Sequence, residues 1–392
     1  MKKSFFAYLR FWAKRYLLRT KPEIIAITGS VGKTSTKETI FAVLKIKFGE
    51  NIRKSEGNLN NETGVPLAIL GYKKSPEKFW QWLPIIVSVP FKGLFLGKSQ
   101  VLVLEFAADK PGDIKYLTGF AKPKIAVITS IGPAHLEAFG TLQKVFEEKT
   151  DLMRALASDG WAVLNLDDWF LNKFSFSGQT KSYGIEKKAD CMAQNITTEI
   201  DDFKPLTKFQ IVSNQIKFYI AVQTLGRSWN VYAALAGACV GLIYEMKPPD
   251  IIRGLKHLKT EKHRLEVLRG RNDSIIIDDS YNANPLSMRA ALDILKDLPA
   301  TGGQKIAVLG DMLELGKITA SAHDLMGEYA REVSDEVVSV GVLAKGYKAD
   351  KHFDDAQSAS AYLLGKVGIG DIILVKASRR IGLEKIVEQL KA

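Results

Sequence analysis

The chain has 392 residues, 46% of them hydrophobic and 25% charged, with 31 Gly and 13 Pro. That composition excludes disordered, collagen-like and disulfide-stapled classes, and the length provides for roughly two or three domains with complete cores. Lys and Arg number 55 against 43 Asp and Glu, a net charge of +12, compatible with a nucleic acid, an anionic membrane or a phosphorylated substrate.

Residues 1–22 mix Phe5, Phe6, Phe11, Trp12 and Leu18 with Lys2, Lys3, Arg10, Lys14, Arg15 and Arg19. No apolar run approaches the roughly 20 residues of a membrane span, and no small-residue cleavage site follows a hydrophobic stretch. The segment reads as a basic amphipathic leader with two open placements: docked on its own protein, or lying on the inner face of an anionic membrane. Residues 79–90, cut by Pro84 and Pro90, read as an exposed or interfacial hairpin that could share a membrane-facing surface with the leader.

From Glu23 the pattern is strand (24–28), glycine turn (29–32) and helix (34–47), with Ile40, Val43 and Leu44 at helical spacing. Further apolar strands end at Glu105, close to His135, and at Asn165, as in a sheet covered on both faces. Residues 191–222 alternate apolar and polar positions, so they are expected as antiparallel strands at the edge of that sheet. A helix over 229–243 follows, and Pro248-Pro249 stops it. A second strand and helix series starts near residue 260, with strands at 274–277, 305–309, 337–340 and 372–375. The expected fold class is α/β: a central P-loop ATPase domain with a mostly parallel sheet over residues 23–259, and a Rossmann-like C-terminal domain over 260–392. Cys191 and Cys239 are expected to be buried and reduced.

Gly29, Ser30, Val31, Gly32, Lys33, Thr34 and Ser35 sit between strand and helix, where backbone N–H groups and a helix N-terminus wrap phosphate oxygens. Lys33 is placed for the β/γ-phosphates of ATP and the Thr34 hydroxyl for Mg²⁺. Ile27 stands where the full eight-residue pattern has its first glycine. The Asn-Lys-x-Asp base-reading segment of GTPases does not occur, and no nucleic-acid recognition module is present.

Seven ordered blocks carry a resemblance: TGSVGKTSTK (28–37), NETGVP (61–66), EFAADKPGDIKYL (105–117), ITSIGPAHLEAFG (128–140), DDSYNANPLSM (278–288), LGDMLELG (309–316) and VKASR (375–379). Together they resemble the Mur ligases of peptidoglycan synthesis, in the branch that joins D-alanyl-D-alanine to a UDP-N-acetylmuramoyl-tripeptide. The resemblance implies a cytoplasmic, commonly monomeric ATP- and Mg²⁺-dependent amide ligase working through an acyl phosphate. It also implies Glu105 and His135 as Mg²⁺ ligands and Lys149 as a carbamylated lysine supporting the metal site, with the acids flanking Lys149 as alternative ligands. Asn60, Asn61, Thr63 and Gly64 would line the muramoyl-peptide side. Asp279, Tyr281 and Asn282 would fold over the nucleotide, and Arg379 would orient the incoming dipeptide through its carboxylate.

Two departures stand out. Around Trp229 and Asn230 the chain reads GRSWNVYAALA (226–236), with Trp229 at a family histidine position and Ala233 at that of an adenine-contacting asparagine, so stacking on Trp229 becomes the expected base contact. Only 22 residues precede the first strand, where the family has a UDP-gripping domain. This leaves two other readings open: a sibling ligase with a different or lipid-linked acyl acceptor, and a non-catalytic ATP-binding scaffold of cell-wall synthesis.

Overall fold

The computed structural model describes residues 2–392 except 77, 215, 227, 228, 259, 300 and 301. Arg227 and Ser228 of the departure above therefore lie outside the described residues, as does Lys259 at the expected domain boundary.

The larger sheet holds β1 (Glu23–Thr28), β2 (Ile52–Lys54), β3 (Val101–Glu105), β4 (Ile125–Ile128), β5 (Trp161–Asn165), β6 (Gln179–Gly184), β7 (Cys191–Asp201), β8 (Lys204–Ser213) and β9 (Ile216–Val222). Their order is β2-β3-β1-β4-β5-β6-β7-β8-β9, parallel through β7 and antiparallel across β7, β8 and β9. The inner strands are continuously apolar because both faces are covered. Ile24, Ala26, Leu102 and Leu104 point into one core, and Ile25, Ile27, Val101 and Val103 into the other. The first core lies under α1 (Lys2–Thr20) and α3 (Gly64–Ile69), and the second under α2 (Lys33–Phe48) and the helix Trp229–Ile243. Cys191 and Cys239 are buried and unbridged.

The second sheet holds β10 (Glu266–Arg269), β11 (Ile275–Asp279), β12 (Lys305–Gly310), β13 (Glu336–Val340), β14 (Lys351–Phe353) and β15 (Ile372–Lys376), ordered β10-β11-β15-β12-β13-β14. Only β10 runs antiparallel. Helices cover both faces, the arrangement expected of a Rossmann-like unit.

One expected element is corrected. Residues 82–95 are not part of a hairpin but a helix, α4 (Trp82–Phe95), entered through a short 3₁₀ turn at Phe79–Gln81 and continuous through Pro90. Proline inside a helix leaves the carbonyl four residues back without its N–H partner, here that of Ile86. The Tyr8 hydroxyl of α1 donates to that carbonyl oxygen at 2.8 Å, so the neighbouring helix supplies what the proline removes. Tyr8→Phe is expected to cost about 0.5–1.5 kcal/mol and to speed amide exchange selectively over residues 86–95.

The leader is docked on the protein. Leu9, Ala13 and Tyr16 are fully buried, and the Tyr16 hydroxyl accepts from Arg53 Nη2 at 2.8 Å while Arg53 also donates to the Ile69 carbonyl of α3.

Candidate active site

Parallel β3, β1 and β4 end at one edge of the sheet, with Ile27 in register with Glu105, so the phosphate loop and Glu105 meet at the carboxyl ends of neighbouring strands, the usual ligand position in such sheets. The loop is braced from the next strand: Ser30 N–H donates to the Ser130 carbonyl at 2.9 Å and Val31 N–H to Ser130 Oγ at 3.0 Å. Gly29 and Gly32 have φ of 151° and 83°. A side chain at Gly29 would strike Thr129, and one at Gly32 would press on the Trp229 ring, so the loop can hold this shape only with glycine at both positions.

Lys33 Nζ donates to the Gly29 carbonyl at 2.6 Å. Burial holds its ammonium below the ordinary lysine range, the Glu105 carboxylate opposes that shift, and Arg264 adds to it. Glu105 is buried; Oε2 accepts from Thr34 Oγ1 at 3.1 Å and Oε1 from Asn60 Nδ2 at 2.9 Å. Lys37 Nζ lies 3.9 Å from Glu105 Oε2. A hydroxyl and a carboxylate beside a phosphate loop are hard oxygen donors, a set that fits Mg²⁺.

His135 caps a short helix with φ of 55°. Its Nδ1 lies 2.6 Å from Glu314 Oε2 and its Nε2 lies 3.5 Å from Asp109 Oδ1. Glu314 follows β12, so His135 is gripped from both sheets. Lys149 is buried on the helix Leu142–Arg154. Burial first, then the nearby Lys33 charge, lower its pKa to about 7. Glu148, a flanking acid, has both oxygens engaged at α5 (Asp113–Thr118): the backbone N–H groups of Gly112 and Ile114 each donate to it at 2.7 Å. That is a helix N-terminal cap.

Of the 60–64 block, Asn60 is the residue that reaches Glu105. Asn61 Oδ1 accepts from the Thr63 N–H and hydroxyl and from Gly64 N–H. A side chain at Gly64 would meet the Leu59 backbone at 2.6 Å, so Asn61, Thr63 and Gly64 shape the turn that presents Asn60. Trp229 packs on Gly32 and its indole N–H is buried without a partner among the described residues. Asn230 lines the cleft, yet its Nδ2 donates to the Leu225 carbonyl at 2.5 Å, fixing the helix start.

The second sheet closes the site. Asp279 Oδ2 accepts from buried Lys376 Nζ at 2.5 Å, and Lys376 also donates to the Asn282 carbonyl at 2.9 Å. Burial raises the Asp279 pKa while Lys376 opposes the rise. Lys376→Met would strand that carboxylate, and denaturant unfolding should show a loss of about 3–5 kcal/mol. Tyr281 bridges the two sheets: its hydroxyl donates to Asn58 Oδ1 at 3.0 Å, and Arg264 and Arg379 lie over its ring at 4.1 and 5.2 Å. A cavity of about 310 Å³ is lined by the phosphate loop, Asn60, Glu105, His135 and Trp229 on one side and by Arg264, Asp279, Tyr281, Asn282 and Lys376 on the other. Arg379 lines the adjoining cavities of about 460 and 450 Å³.

Sequence reasoning did not single out Asp109, Arg264, Glu314 or Lys376 as site residues. Asp109, Glu314 and Lys376 lie inside the quoted blocks, four residues after Glu105, inside LGDMLELG and at the end of an apolar strand, so a signal was present for them.

A phosphate loop, a buried carboxylate at the neighbouring strand end and a second α/β unit folded over both define an ATP-dependent ligase of two closing halves. The description "Mur ligase middle domain" matches residues 27–241, and "Mur ligase, glutamate ligase domain" matches residues 263–379. The UDP-N-acetylmuramoyl-tripeptide--D-alanyl-D-alanine ligase of Bacillus subtilis (strain 168) is 32% identical over 389 residues, covering 96% of this chain and 78% of that protein. The enzyme of the same name from Buchnera aphidicola subsp. Baizongia pistaciae is 35% identical, covering 95% and 76%. Among solved structures, MurF ligase from Thermotoga maritima in complex with ADP superposes with a TM-score of 0.83 at 28% identity, covering 98% of this chain and 83% of that one. MurF from Acinetobacter baumannii gives a TM-score of 0.82 at 28% identity, covering 97% and 79%. The chain belongs to the Mur ligase family.

Proposed function

We propose that the protein joins D-alanyl-D-alanine to the free carboxylate of a UDP-N-acetylmuramoyl-tripeptide, cleaving ATP to ADP and phosphate, in peptidoglycan precursor synthesis. The observation that carries this reading is the convergence of Lys33, Thr34, Asn60 and Glu105 with Arg264, Tyr281 and Lys376 in one cleft between the two halves, in a chain whose 30–35% identical relatives bear that enzyme's name. Residues 23–259 would form the ATP-binding half and 260–392 the half that closes over it.

The chemistry follows from the carboxylate being a poor electrophile. Its oxygen attacks the γ-phosphorus of ATP and ADP leaves; the dipeptide amine then attacks the acyl carbon, loses a proton, and phosphate departs with the bridging oxygen. Lys33 would offset the charge gathered on the transferring phosphoryl, and Trp229 would offer its face to the adenine. Thr34 and Glu105 would hold one Mg²⁺, and His135 with a carbamylated Lys149 a second; bound there, Mg²⁺ supplies charge neutralisation at the phosphoryl oxygens. Asn60 orients Glu105, and Arg379, exposed at the cavity rim, is suited to fork onto the dipeptide carboxylate.

Phosphate release from ATP, with each substrate omitted in turn, tests the reading. Release that requires both the muramoyl tripeptide and the dipeptide is the expected result. Release with ATP alone, or with neither peptide mattering, would refute it.

A further inference from the structure

Helix α4 is built inside out. All six of its exposed residues are apolar: Leu83, Pro84, Ile86, Val87, Phe91 and Phe95. Leu83, Val87 and Phe91 recur every fourth residue on one face, and Phe91 and Phe95 are 63% and 75% exposed. Its two polar side chains turn the other way, toward Tyr72: Ser88 Oγ lies 2.6 Å from the Tyr72 hydroxyl and Lys92 Nζ lies 4.3 Å from the centre of its ring. A helix facing water shows the reverse polarity.

The apolar face continues onto neighbouring elements. Phe79 and Trp80, just before α4, are 90% and 67% exposed. Parallel to α4 lies α1, with Phe5 edge-on to Trp82, Tyr8 on Ile86 and Trp12 against Gly93. It adds exposed Phe11 and Leu18, with exposed Lys14 and Arg15 between them.

Charge identifies the occupant. Residues 1–22 hold seven Lys and Arg and no Asp or Glu, and residues 71–100 hold five Lys against one Glu, so these two stretches carry +11 of the chain's +12. The rest of the protein is nearly neutral. A second copy of the same face would meet that charge with its own, whereas an anionic surface is complementary to it. At 14 residues α4 is too short to span a bilayer, and among the described residues no helix is long and apolar enough to cross a membrane.

We infer that the α1–α4 face is a membrane-docking surface: the Leu83, Val87 and Phe91 stripe with Phe79, Trp80 and Phe95 enters the headgroup and acyl boundary of a bilayer, while Lys14 and Arg15 contact anionic lipid headgroups. The protein lies on the membrane rather than in it. Arg53 ties α1 to the C-terminal end of α3, the helix that follows the turn presenting Asn60.

The test is co-sedimentation of the full chain with vesicles of phosphatidylcholine alone or with added phosphatidylglycerol, at low and raised salt. Binding to the phosphatidylglycerol vesicles should be at least about tenfold tighter and should weaken with salt. The triple variant L83E/V87E/F91E should lose it, and K14E/R15E should weaken it, both keeping ligase activity on soluble substrates. No binding to anionic vesicles, equal binding to both vesicle types, or binding retained by the triple variant would overturn the inference. So would a wild-type dimer in lipid-free sedimentation that the triple variant dissolves, since the face would then be covered by a second copy.

Discussion

Lys33→Met is expected to lower kcat by about 10²–10³-fold while leaving the fold intact, because the charge that stabilises a transferring phosphoryl is lost and the aliphatic volume is kept. The structure makes the variant informative. Among the described residues the one hydrogen bond Lys33 donates is to the Gly29 carbonyl, and burial already disfavours its ammonium, so removing the amine relieves a desolvation cost. Thermal melting should therefore show an unchanged or raised Tm beside the lost turnover. A fall in Tm parallel to the fall in kcat would mean that Lys33 is a structural strut of the loop.

The second large effect concerns Lys149. An amine reacts with carbon dioxide only when neutral, releasing one proton as the carbamate forms, and burial beside Lys33 brings its pKa down to about 7. A buried carbamate replaces a buried cation by an anion next to Lys33, which favours the modified state electrostatically. Lys149→Ala should lose at least about 10²-fold in kcat, in the range of a lost charge-stabilising group, with partial recovery on adding a short carboxylate such as acetate. Carbon-13 carbon dioxide should give a carbamate resonance in the wild type and none in the variant. Stability follows the same group in carbon-dioxide-free buffer. Because the folded pKa is depressed below the unfolded value, its contribution is full above the unfolded pKa of about 10.5 and is lost as pH falls toward about 7. Lys149→Met should flatten that slope and raise Tm near neutral pH.

Sequence alone showed much of this site, for a physical reason. Strands buried on both faces must be continuously apolar, so Ile24–Ile27, Val101–Leu104 and Ile125–Ile128 stand out, and the polar residues just past them, Thr28 to Ser35, Glu105 and His135, fall at one sheet edge. Contacts between the halves were not legible. Tyr281 to Asn58 and His135 to Glu314 join residues brought together only by the packing of the second sheet on the first, and the Arg264–Tyr281–Arg379 stack joins residues far apart in sequence within the second half. Periodicity carries no information about such pairs. Helix α4 was misread because Pro84 and Pro90 signal a break. Pro84 sits in the first turn, where no N–H is needed, and the loss at Pro90 is made good by Tyr8, 78 residues away from the carbonyl it serves.

The measurement that bears most directly on the proposed ligase is isotope transfer. With both carboxylate oxygens of the muramoyl tripeptide's terminal residue labelled with ¹⁸O, an acyl phosphate intermediate delivers one labelled oxygen to each phosphate released as the pentapeptide forms. Mass spectrometry of the phosphate should find that single label; unlabelled phosphate, or ADP formation without the pentapeptide mass, would contradict it.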